Sequence, residues 1–137
     1  MDQENFGKLG PIYAAIGAAA AAITGGNPDG IYLYVEAGDG WHGGGLFRDD
    51  GTAIRYFDTS HELGELIFEA WKSEEPAKRW SVMEYEINGS RFDAHFKFPD
   101  EVDVEAETDE DRREDALVRR YGNRQVIYPP RPGFQQN

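Results

Sequence analysis

Hydrophobic positions along this chain follow two periods, and the clearest period-two stretch is residues 79–98, RWSVMEYEINGSRFDAHFKF. Asn88-Gly89 at its centre is a hairpin signal, because a type I′ turn needs positive φ at both central positions. A turn there pairs Ile87 with Ser90, Tyr85 with Phe92, Met83 with Ala94 and Ser81 with Phe96. Met83, Tyr85, Ile87, Phe92, Ala94, Phe96 and Phe98 then share an apolar face. The opposite face carries Trp80–Lys97, Val82–His95, Glu84–Asp93 and Glu86–Arg91 as facing pairs. Glu84 against Asp93 sets like charges opposite each other, at some cost in stability.

Residues 31–57 alternate in the same way and predict a three-stranded meander, IYLYVEA, WHGGGLFR and TAIRYF, turning at Asp39-Gly40 and Asp50-Gly51. Tyr32, Tyr34, Phe47, Ile54 and Tyr56 fall on one side, with Gly45 beneath the tyrosines. Ile31, Leu33, Val35 and Leu46 fall on the other. Glycines 43–45 weaken a strand unless rings or a bend cover them.

The helical period appears in residues 59–75, where Leu63, Leu66, Ile67, Ala70 and Trp71 form one stripe. Thr59 and Glu62 make a capping box, and Pro76 stops the helix. Residues 11–24, PIYAAIGAAAAAIT, predict an alanine-rich helix opened by Pro11 and closed by Gly25-Gly26. Thr108 caps a last helix over 109–121, with acids in its first turn, Arg119-Arg120 in its last and Gly122 just beyond. Arg124–Tyr128 predicts a short sixth strand before an extended tail.

The resulting expectation is an α+β fold, α-β3-α-β2-α, with a mostly antiparallel five- or six-stranded sheet and helices packed on one face. Residues 1–122 form a single domain and 123–137 a C-terminal strand and tail, consistent with a chain of 137 residues.

Charge changes the picture more than composition does. Twenty-six acids against 14 bases leave a net charge of −12, which disfavours nucleic acid and anionic membrane and favours a basic partner. Eight acids and no base lie between Asp100 and Asp111. The absence of cysteine excludes disulfides. The acidic start is unlike a signal peptide, and the apolar run 12–23 is too short to span a bilayer. A cytoplasmic protein is the expectation.

Catalytic and cofactor motifs are sparse. Gly38–Gly43 matches G-x-G-x-x-G, but a strand and a turn follow it where a dinucleotide site needs a helix. His42, His61 and His95 have no ligand spacing, and the acidic run lacks the order of a calcium loop. No cofactor or metal is expected. Glu84, Asp93 and His95 share a predicted face, so three readings stand beside one another there: a solvated surface, a partner-binding face and acid–base chemistry.

One order of landmarks carries a resemblance. Tyr32-Leu33-Tyr34-Val35 opens the meander, an amphipathic helix follows, then Trp80-x-x-Met83-x-Tyr85, then Gly89, Phe92, Phe96 and Phe98, and finally Arg113 with Tyr121-Gly122. From about residue 12 to 122 this resembles the YezG-like immunity (antitoxin) family of bacteria. The chain departs from that pattern at Leu117, where a tryptophan is expected, in its alanine-rich first helix and in the tail after Gly122. The resemblance implies a non-enzymatic protein that binds and neutralises a cognate toxin, often a nuclease-like domain. A basic cleft built for phosphates is met by acids on a rigid surface, with aromatic hot spots among them. The partner-binding candidates are therefore Trp41, Trp80, Glu84, Glu86, Asp93, Asp100, Glu101, Asp103 and Glu105. The alternatives are a small enzyme using Glu84, Asp93 and His95, and an acidic protein-interaction module.

Overall fold

The computed structural model describes residues 3–38, 41–89, 91–102 and 107–128, with side chains from residue 10 onward except those of 41 and 42. In order it forms α1 (Gln3–Ile23), β1 (Ile31–Gly38), β2 (Trp41–Asp49), β3 (Ile54–Phe57), α2 (His61–Ser73), β4 (Val82–Asn88), β5 (Arg91–Lys97), α3 (Asp109–Tyr121) and β6 (Val126–Ile127). The six strands make one sheet in the order β5-β4-β1-β2-β3-β6. Every pairing is antiparallel except β3 with β6. The α+β class and the α-β3-α-β2-α order hold.

The helices do not all pack on one face. α1 and α2 cover the side carrying Leu33, Val35, Leu46, Met83 and Tyr85, burying Ile16, Leu63, Ile67 and Trp71 against it. α3 crosses to the opposite side and sets Ala116 and Leu117 on Tyr32, Tyr34, Phe47, Ile54 and Val82. The physical reason is that both sheet faces are too apolar to leave in water, and α1 with α2 cover only one of them.

Two registers differ from expectation, each by two residues. The hairpin pairs Asn88 with Arg91, Tyr85 with Ala94 and Met83 with Phe96. Asn88 stays extended in β4 while Gly89 takes φ +67°, so an Asn-Gly type I′ turn does not form. The neighbouring loop helps set this: the Gly89 N–H donates to Asp29 Oδ1 at 2.7 Å, and the Gly30 N–H to the Ile87 carbonyl at 2.9 Å. Likewise Asp49 pairs with Ile54, lengthening the turn at Asp50-Gly51. There the Asp50 carboxylate accepts from the Thr52 and Ala53 N–H groups. Those hydrogen bonds hold the Asp50 carboxyl down at about 2. A slip of two leaves every side chain on its face, so both apolar sets survive. The Asp39-Gly40 turn lies outside the described residues, although Gly38 pairs with Trp41 on either side of it.

Caps and glycines complete the frame. α1 begins eight residues earlier than expected, leaving Pro11 inside it. α2 is capped by Ser60, whose hydroxyl accepts from the Leu63 N–H at 3.1 Å, and not by Thr59. α3 has the expected Thr108 cap, and Gly122 closes it with φ +71°. At Gly45 a methyl group would lie 2.6 Å from the Tyr56 ring and 3.1 Å from the Phe47 ring, so this glycine of β2 is roofed by aromatic rings.

Candidate functional site

The chemistry of the molecule concentrates between the sheet and α3. β1 and β4 run side by side there, with Tyr32 beside Glu86, Tyr34 beside Glu84 and Glu36 beside Val82. The Tyr32 hydroxyl donates diagonally across to Glu84 Oε1 on β4, and the Tyr34 hydroxyl donates along its own strand to Glu36 Oε2 at 2.7 Å. Burial first, and then the adjoining carboxylate, raise both hydroxyls well above the ordinary tyrosine range.

α3 meets these carboxylates with arginines. Arg112 grips Glu36 through two hydrogen bonds, Nε to Oε2 at 2.8 Å and Nη2 to Oε1 at 2.7 Å, a bidentate pair. Both partners are largely shielded, with side-chain exposures of 14% and 7%. Arg120 pairs with Glu86 and lies over the Tyr32 ring, while Arg119 reaches Glu84 at 3.9 Å from a more exposed position. Arg113 lies over the Tyr56 ring. Arginines at 112, 119 and 120 with Ala116 between them follow the helical repeat, which brings them to one face.

This arrangement corrects several sequence expectations. Glu84 faces His95, and Glu86 faces Asp93, so the Glu84–Asp93 pair does not exist. Glu84 and Glu86 are half-buried and engaged by arginine, not offered to a partner. Trp80 is 2% exposed and packs in the α1/α2 core against Phe96. Its carbonyl accepts from Trp71 Nε1, so it is no surface hot spot. Asp93 and His95 are exposed on β5. No hydrogen bond or ion pair joins Glu84, Asp93 and His95 among the described residues. Asp100 and Glu101 lie exposed in a short 3-10 turn, Pro99–Glu101. Trp41 opens β2, but its side chain lies outside the described residues, as do Asp103 and Glu105.

Sequence reasoning missed Glu36, Arg112 and Arg120. A signal existed: Glu36 shares the period-two face of Tyr32 and Tyr34, and a carboxylate there demands a cation.

Outward from the sheet the charge reverses. Glu107, Asp109, Glu110, Asp111, Glu114 and Asp115 are all exposed, as are Asp100 and Glu101 just before them. Glu101, Glu107 and Asp115 rim a small polar cleft of about 150 Å³ beside Glu84, Arg112 and Arg119. A shared hydrogen bond with Asp115 raises the Glu107 carboxyl above its usual range. No group of three or more carboxylates and histidines placed to hold a metal ion occurs among the described residues. Among the described residues, no helix is long and apolar enough to cross a membrane.

Comparison with models of known protein families finds no match, and comparison with curated protein sequences finds none either.

Proposed function

We propose that this chain is a non-enzymatic binding protein that captures and neutralises a basic partner, an immunity or antitoxin role against a cationic, nuclease-like toxin domain. The observation that carries the reading is the sorting of charge across α3. Arg112, Arg113 and Arg120 turn inward to the sheet, while eight acids between Asp100 and Asp115 remain exposed. Five of those acids, Asp109, Glu110, Asp111, Glu114 and Asp115, lie on α3 itself, a helix pinned to the sheet by ion pairs in a chain of net charge −12. A rigid anionic ridge accelerates encounter with a cationic cleft and excludes acidic competitors. The resemblance to YezG-like immunity proteins points the same way.

The test mixes the purified chain with basic toxin domains, nuclease domains first. A stable complex is expected, with an association rate that falls steeply as salt rises. Glu110→Lys with Asp111→Lys and Glu114→Lys is expected to slow association by about tenfold or more. Absence of a complex at micromolar concentration with every basic domain tried, or a complex indifferent to those reversals, overturns the reading.

A further inference from the structure

The two edges of the sheet are unlike. β6 is two residues long, and Pro129-Pro130 soon follows it in the sequence, which blunts that side. β5, at the other end, runs for seven residues with no proline and an unbroken register with β4. Among the described residues no strand lies beyond it.

The hydrogen bonds of the inner strands fix what this edge offers. The Ala37 N–H donates to the Ser81 carbonyl at 3.0 Å, which continues the β1–β4 register and turns the odd-numbered residues of β4 toward β1. Val82, Glu84 and Glu86 therefore turn their backbone groups to their partners on β5, Lys97, His95 and Asp93. The N–H and C=O groups of Ala94 and Phe96, which lie between those partners, point the other way, out of the sheet. The charge at this edge is also unlike that of a chain with net charge −12, because β5 holds Arg91 and Lys97 against one acid, Asp93. Asp93 and Lys97 are exposed, and neither has an ion-pair partner among the described residues.

We propose that β5 pairs antiparallel with β5 of a second copy of this chain, joining the two sheets about a two-fold axis at His95. Charge selects the register. Pairings centred on Asp93, Ala94 or His95 engage more than half of the strand. The first sets two aspartates against each other. The second sets Arg91 against Lys97 on both sides of the axis, offsetting its contacts between Asp93 and His95. The third sets Asp93 against Lys97 twice and Phe92 against Phe98 twice. It also brings the outward N–H and C=O groups of Ala94 opposite those of Phe96, and every side chain keeps its face. This association does not rest on the toxin-binding reading.

The test is sedimentation velocity of the full chain alone, from micromolar to millimolar concentration at about 0.15 M salt. A reversible monomer–dimer equilibrium is expected. Asp93→Lys or Lys97→Asp alone turns an attractive pair into a like-charged one at two symmetric places, and weakens the dimer about tenfold or more. The two substitutions together restore it. Ala94→Pro removes an outward N–H and leaves the bonds to β4 intact, so a folded monomer is expected. The reversals change surface charge only, and they decide the matter if the proline variant fails to fold. A chain that stays monomeric at every concentration overturns the proposal. So does a dimer indifferent to the single reversals, or one that the double variant does not restore.

Discussion

On one face of the sheet, α1 and α2 press Ile16, Leu63, Ile67 and Trp71 onto Leu33, Val35 and Met83. On the other, α3 contributes two buried apolar side chains, Ala116 and Leu117, and reaches the rest of the surface with arginines. The first face is secured by buried area, roughly 1.5–3 kcal/mol for each large aliphatic side chain, and is insensitive to which neighbour supplies it. The second is secured by geometry: particular guanidiniums on particular carboxylates, with tyrosine hydroxyls filling the remaining acceptor sites. Buried area makes the fold stable, whereas the paired face decides where charge goes. By drawing Arg112, Arg113 and Arg120 inward, it leaves the N-terminal half of α3 with an acidic exterior.

Removing one member of the best-shielded pair should break this comparison most severely. Glu36→Ala strands Arg112 and orphans the Tyr34 hydroxyl, and a loss of about 3–5 kcal/mol is expected in urea unfolding. Replacing Glu36 and Arg112 together by leucine should recover most of that loss, because a buried ion pair is mainly a positional device. A double variant as unstable as Glu36→Ala would show that the pair contributes stability of its own.

Leu33→Ala sharpens the contrast from the other side. Leu33 is fully buried under α1 and α2, so about 2–5 kcal/mol is expected, with no dependence on salt. The smallest effect belongs to Arg119→Ala. Its side chain is 56% exposed and 3.9 Å from Glu84, which limits the loss to about 1 kcal/mol or less. That loss should vanish as salt screens the pair, and a loss well above about 1 kcal/mol would place Arg119 with Arg112 as a buried anchor.

The sequence carried the two apolar faces because side-chain alternation survives a register shift of two. Asn88-Gly89 and Asp50-Gly51 were legible as reversals, but their exact pairing depends on Asp29 and Asp50 capturing backbone N–H groups. Those captures are tertiary facts or local competitions that composition does not rank. The site was less legible for a related reason. Glu84 and Glu86 look like surface acids until a helix more than 20 residues later in the chain places arginines on them. Trp80 reads as the strand's outer face, yet it precedes β4, which begins at Val82, and turns into the core. Nothing in the charge pattern of α3 dictates which side of the sheet it covers. Only the occupancy of the first face by α1 and α2 does.

Native-state hydrogen exchange tests most directly the claim that the two faces are held by different physics. It compares α3 with β1 and β4 as salt rises from about 0.1 M to about 1 M, where the screening length falls from about 10 Å to about 3 Å. Amides of α3 are expected to exchange through a partial opening that salt promotes, while those of β1 and β4 exchange only with global unfolding and ignore the salt. Exchange of all three elements in step, at every salt concentration, would contradict the account.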